Sequence, residues 1–156
     1  MSMADQPSGR FAIAAAKFNS EVVDRLIEGA MQGLRQHGVR ESHIHLVRVP
    51  GAFELPLVCQ KLADTDQYEA VIALGAVIRG DTDHYEYVCR GVTDGIMRVS
   101  LDTGIPMIFG VLTCQTEELA LERAGGKHGN KGYDAAVAAV EMAALIKQMG
   151  RPEDQN

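Results

Sequence analysis

The sequence predicts an α/β three-layer sandwich, a four-stranded parallel sheet of order 2-1-3-4 flanked by helices on both faces. Three observations carry this. Apolar runs of strand length alternate with helical stripes along the chain, and the connections between them are short. One run, Ala70–Ile78, is apolar almost throughout, as a central parallel strand covered on both faces must be. The length of 156 residues suits one domain, 1–156, with 1–9 and 151–156 as loose tails. There is no Trp and aromatic residues are only 5%, so the core has to be aliphatic and rich in Ala.

The elements follow in order. Phe11–Lys17 is a short apolar run, read as a buried first strand. Asn19 and Ser20 offer helix caps before the stripe Val23, Leu26, Ile27, Ala30, Met31, Leu34, and Gly38 closes that helix. His43–Val49 alternates polar with apolar, as an edge strand does, and Pro50-Gly51 ends it. A helix over 52–63 presents Leu55, Val58, Cys59 and Leu62 on one face. After the central strand a helix spans 84–103, stopped by Gly104-Ile105-Pro106. The fourth strand is placed at 105–112, with Pro106 tolerable at its start. Thr116 followed by Glu117 and Glu118 reads as a capped helix start. A glycine-rich bend at 125–129 leads to a last helix whose expected stripe is Ala135, Ala138, Ala139, Met142, Leu145, Ile146 and Met149. Right-handed crossovers then favour the flavodoxin-like strand order.

Composition narrows the function. A formal net charge of −6 argues against a nucleic-acid binder, which needs a basic face. It leaves room for a small anion held by a few placed groups. Cys59, Cys89 and Cys114 are widely spaced with no CxxC pair, which fits reduced thiols in a cytoplasmic protein. No apolar run approaches a membrane span, and Met1–Gly9 lacks a signal-peptide core. There is no HExxH, no GxSxG, no GxGxxG after the first strand and no metal-ligand cluster, so no metal and no cofactor is expected. Residues 125–132 superficially suggest a phosphate loop but lack the GxxxxGK[ST] order.

In open α/β sheets the ligand lies beyond the carboxyl ends of the strands. After strand one stands Lys17-Phe18-Asn19, after strand two Pro50–Pro56, and after strand three Arg79–Tyr85; strand four carries Phe109 near its end, then Thr113. Aromatic rings, a carboxylate, a histidine and an arginine thus map to one edge. Each has a plainer explanation: His84 as an exposed helix-start residue, Glu54 as a first-turn carboxylate, Phe18 and Phe53 as plugs of the core. Their common location favours a planar ligand stacked on Phe18 and Phe53, with His84 suited to proton transfer. The helix opening at Arg79-Gly80-Asp81-Thr82 offers backbone N–H groups to an anion, a signal weak by itself.

Five segments in order, Phe18-Asn19, PGAFELP at 50–56, GAVIRGDTDHYEYV at 75–88, IFGVLT at 108–113 and ERAGGKHGNKG at 122–132, resemble the lumazine synthase family of riboflavin biosynthesis. The likeness runs from about Phe11 to Met149. It implies a transferase that condenses 5-amino-6-(D-ribitylamino)uracil with 3,4-dihydroxy-2-butanone 4-phosphate to give 6,7-dimethyl-8-ribityllumazine, phosphate and water. By the same resemblance Phe18 stacks on the pyrimidine, Ala52, Phe53 and Glu54 fix the ribityl chain and ring, and Ala76, Val77 and Ile78 line the pyrimidine site. Asp81 and Thr82 match the phosphate cradle and His84 the proton shuttle. Phe109, Arg123 and Lys131 match residues supplied by a neighbouring subunit, with Arg123 on the phosphate. The family's homo-oligomer is at least a pentamer, with the site shared between subunits.

Two features depart from common family patterns. Asp81 and Asp83 would repel a phosphate unless they face away or only backbone amides touch it, and Arg90-Gly91 stands where an Asn-Glu pair is frequent. The polar N-terminus favours a free pentamer, whereas the short 125–132 bend matches members that form sixty-subunit shells. The rival readings are a non-catalytic riboflavin- or flavin-binding paralogue of the same fold, a flavin electron carrier, a receiver domain and a structural shell protein. The carrier would need a Ser/Thr-Gly phosphate loop after strand one, and Lys17–Ser20 supplies none. The receiver would need acidic strand ends, and the shell protein has no use for His84, Arg123 and Lys131.

Overall fold

The computed structural model describes residues 9–150, so most of both expected tails lies outside the described residues. Strands β1 (Arg10–Ala16), β2 (Ile44–Val49), β3 (Tyr68–Ile78) and β4 (Met107–Cys114) form one sheet. Their order is β2-β1-β3-β4 and every pairing is parallel, as the sequence predicts. Helices α1 (Ser20–Gln36), α2 (Leu55–Asp64), α3 (His84–Thr103), α4 (Glu117–Glu122) and α5 (Lys131–Met149) connect and cover it, with single 3-10 turns at Glu41–His43 and Ala52–Glu54. The 125–129 bend is a small antiparallel pair, β5 (Ala124–Gly126) with β6 (Gly129–Asn130).

Alternation along the strands divides the core between the two faces. Phe11, Ile13 and Ala15 of β1, with Ala70, Ile72, Leu74 and Ala76 of β3, pack under α1 and α5. Ala12, Ala14 and Ala16, with Val71, Ala73 and Val77, pack under α2 and α3. The central strand is buried from Ala70 to Val77, matching its unbroken apolar sequence. No helix among the described residues is long and apolar enough to cross a membrane.

Two expectations needed correction in register. Strand β4 begins two residues later than placed, because Pro106 has no N–H for the ladder. The chain there is held instead by α3: Thr103 Oγ1 accepts from the Ile105 amide at 3.2 Å and Ser100 Oγ from the Met107 amide at 3.3 Å. The second correction is the face of α5. Its buried residues are Gly132, Ala135, Ala136, Ala139 and Ala143, while Met142, Leu145, Ile146 and Met149 of the expected stripe are exposed. The cause is the close approach of α1: a Cβ on Gly132 would stand 2.0 Å from the Leu26 carbonyl oxygen, and one on Gly33 2.8 Å from the Ala136 Cβ. Only Gly and Ala fit between backbones that near, so the large side chains turn outward.

The helix ends follow local chemistry. Thr116 caps α4 by accepting from the Leu119 amide at 3.2 Å. Asn130 caps α5 by accepting from Gly132 and Tyr133 at 2.8 and 3.1 Å. Gly38 takes φ +90° after α1, the left-handed stop expected there. Asn19 starts α1 without a side-chain cap, its amide being engaged elsewhere.

Candidate functional site

The loop after β1 is laced to the end of β2 and to β3. The Lys17 amide donates to the Val49 carbonyl at 2.7 Å and the Phe18 amide to the Pro50 carbonyl at 3.1 Å. The Asn19 side-chain amide donates to the Ala76 carbonyl at 2.7 Å. These bonds fix where Phe18 leaves the sheet, although its ring stands 71% exposed.

Between the loops that follow β1, β2 and β3 lies a cavity of about 670 Å³. Of the residues expected at the site, Phe18, Ala52, Phe53, Glu54, Ala76, Val77, Ile78, Thr82 and His84 all line it. Pro50, Gly51 and Gly80 complete the predicted loops, and Asn19, Tyr85, Tyr87 and Val88 join them. The floor is buried strand, Ala76 and Val77, and the walls are the two exposed Phe rings. An apolar floor between two aromatic rings, with Glu54 and His84 among the lining residues, suits a flat ring that carries polar substituents.

The β3–α3 turn sorts its residues by side. Gly80 and Thr82 line the cavity, whereas Asp81 and Asp83, both exposed, do not. Thr82 Oγ1 accepts from the His84 amide at 3.3 Å, holding the turn that presents the imidazole. Arg79 is occupied outside, paired with Glu86 at 3.8 Å and lying 5.6 Å over the Tyr85 ring. Burial pushes the Tyr85 hydroxyl above its ordinary pKa, with the Cys89 thiol beside it adding to the shift.

Asp81, Phe109, Arg123 and Lys131 are the expected residues that this cavity does not gather. Phe109 is not near the end of its strand: it pairs with Ala73 in the middle of β3, a result of the two-residue shift of β4, and packs half-buried against the α2–α3 side of the core. Arg123 ends α4 with Nη1 donating to the Leu119 carbonyl at 3.0 Å and lying 3.7 Å from Glu122. Its charge opposes the burial that raises the Cys114 thiol, which places it by the end of β4. Lys131 opens α5, its amide bonded to the Arg123 carbonyl at 2.8 Å, and its side chain is exposed.

Asn19 and Tyr85, which stand in the strand-end segments but carry no expected role, and Tyr87 and Val88 beyond them, also line the cavity. Tyr85 and Tyr87 sit at positions 1 and 3 after His84, a spacing that lets both reach the same end of α3, so the signal was present in the sequence.

Comparison with known proteins places the chain in a family. The family model for 6,7-dimethyl-8-ribityllumazine synthase matches residues 8–147. The chain is 55% identical, over 140 residues and 90% of each chain, to the 6,7-dimethyl-8-ribityllumazine synthase of Halorhodospira halophila.

Proposed function

The chain belongs to the 6,7-dimethyl-8-ribityllumazine synthase family, and we propose that it joins 5-amino-6-(D-ribitylamino)uracil to 3,4-dihydroxy-2-butanone 4-phosphate. The observation that carries this is the single cavity that gathers Phe18, Phe53, Glu54 and His84 over the Ala76–Ile78 strand end. Phe18 and Phe53 hold the pyrimidine ring and Glu54 the ribityl hydroxyls. The 5-amino nitrogen attacks the ketone carbon, and loss of water gives an imine. Phosphate leaves, and the ribitylamino nitrogen closes the second ring with loss of a further water. His84 takes and returns protons in these steps, and the cavity supplies the positioning that makes the encounter effectively intramolecular.

The phosphate needs a cation, and none of the residues lining the cavity is Lys or Arg. Thr82 and the amides around Gly80 form a cradle without a countercharge. The missing cation is Arg123 of a neighbouring copy, with Phe109 and Lys131 from the same neighbour. The working unit is accordingly a homo-oligomer, at least a pentamer, in which each cavity is completed across an interface. Asp81 and Asp83, outside the cavity, leave the phosphate site free of repulsion at close range, so Asp81 acts through its backbone alone.

The test is a direct assay. Mixing the protein with both substrates should accelerate formation of the lumazine, followed by absorbance and fluorescence, above the spontaneous rate. An assembled oligomer that gives no acceleration would exclude this reading.

A further inference from the structure

Two glycines one turn apart on α3, Gly91 and Gly95, face the loop that follows β2. A Cβ on Gly91 would stand 2.4 Å from Cε2 and 2.9 Å from Cδ2 of Phe53. One on Gly95 would stand 2.6 Å from Cγ of Pro56. Glycine is among the least favourable residues inside a helix. Its use there is explained when another group must approach the helix backbone closely. Here both approaching groups belong to one loop, and the first of them carries a wall of the cavity. The Phe53 ring is still 59% exposed, so one edge rests on α3 while the remainder stands at the cavity.

We propose that Gly91 is a positioning residue for this site, the seat against which the Phe53 ring lies and which sets how far that ring projects into the cavity. The proposal rests on the reading of the cavity as the pyrimidine and ribityl site. Gly91 itself is not a lining residue and acts only through Phe53. A Cβ at position 91 is fixed by the helix, whereas the ring turns about two torsions, so the ring is what yields. The ring lines the cavity, which offers it an open side. Gly95 does the same for Pro56, which opens α2 and holds the far end of the loop.

The assembled wild-type protein and Gly91→Ala are compared by crystallography and by steady-state kinetics with each substrate varied in turn. The Phe53 ring should move toward the cavity, and KM for the aminopyrimidine should rise about tenfold, as over-packing of a tight contact does. KM for the butanone phosphate should stay within about twofold. Introduced beside Phe53→Leu, whose side chain ends short of Cε2, Gly91→Ala should cost less than about twofold beyond Phe53→Leu itself. An unmoved ring with unchanged KM overturns the seat, and so does an equal penalty in both backgrounds. A displaced ring with both KM values unchanged overturns the assignment of the cavity, and the positioning role falls with it. Should Gly91→Ala fail to fold, folding of the double variant supports the seat and its failure overturns it.

Discussion

Asn19 reaches from the loop after β1 to β3, donating a 2.7 Å hydrogen bond from its side-chain amide to the carbonyl of Ala76. Its own backbone is left-handed, at φ 60° and ψ 46°, which Asn tolerates better than most residues. One side chain thus turns the chain out of β1 and ties together two of the strand ends beneath the cavity. Asn19→Gly keeps the turn and loses the bond, whereas Asn19→Ala loses both. The expected costs are about 1 kcal/mol for Gly and about 2–3 kcal/mol for Ala. At fixed protein concentration each kcal/mol lowers Tm by roughly 2–4 °C. Equal melting of wild type and Asn19→Gly would show that the bond contributes nothing.

His84→Ala should slow turnover by about 10- to 10⁴-fold while leaving circular dichroism and assembly size unchanged. The side chain is exposed, so its removal opens no void in the core. An unchanged kcat would take the imidazole out of the mechanism.

Arg123→Ala should lose activity chiefly through weaker use of the phosphorylated ketone. If the site is shared, unfolding and co-assembling His84→Ala with Arg123→Ala subunits should return part of the activity. Some interfaces then join an intact His84 from one copy to an intact Arg123 from the next. Mixed oligomers no more active than either parent would place both residues in the same subunit's site.

Cys59 gives a dependence of stability on pH. Burial pushes its thiol from the ordinary 9.0 up to about 12. The folded chain therefore keeps the proton over a range where the unfolded chain has released it. Stability is unaffected below about pH 9 and is lost above it, by about 1.4 kcal/mol for each pH unit up to the folded value. The gap in urea stability between wild type and Cys59→Ala should narrow by about 1.4 kcal/mol from pH 8 to pH 10. A constant gap would contradict the shift. Cys89 and Cys114, also raised by burial, act in the same direction, so the variant keeps a shallower slope.

The layout of the fold was legible because each element states its period: Ala70–Val77 as an unbroken apolar run, α1 as an apolar stripe, Pro50 and Gly104 as stops. The α5 face was not legible, because hydrophobicity favoured Met142 and Leu145 while the closest approach of α1, at Gly132 and Ala136, admits only small residues. That choice is made by the partner helix and leaves no mark in α5's own period. The cavity-lining residues were readable from the strand-end rule together with the family resemblance. The function of Asn19 was hidden behind its aptitude as a cap, and that of Gly91 behind the absence of a side chain. Phe109, Arg123 and Lys131 are not gathered by one copy, since each stands on β4, α4 or α5, away from the loops that follow β1, β2 and β3.

Tyr85 and Tyr87 line the cavity, Tyr68 bonds His45 at the sheet edge, and Tyr133 bonds Gln36 between α1 and α5. These are all four tyrosines of a chain that has no Trp. Half of the native emitters therefore stand at the proposed binding site, with no indole signal to mask them. An absorbing heterocycle entering the cavity will draw energy from Tyr85 and Tyr87 and dim the ultraviolet emission of the unlabelled protein. Occupancy can be titrated optically, without turnover, a dye or an added tryptophan.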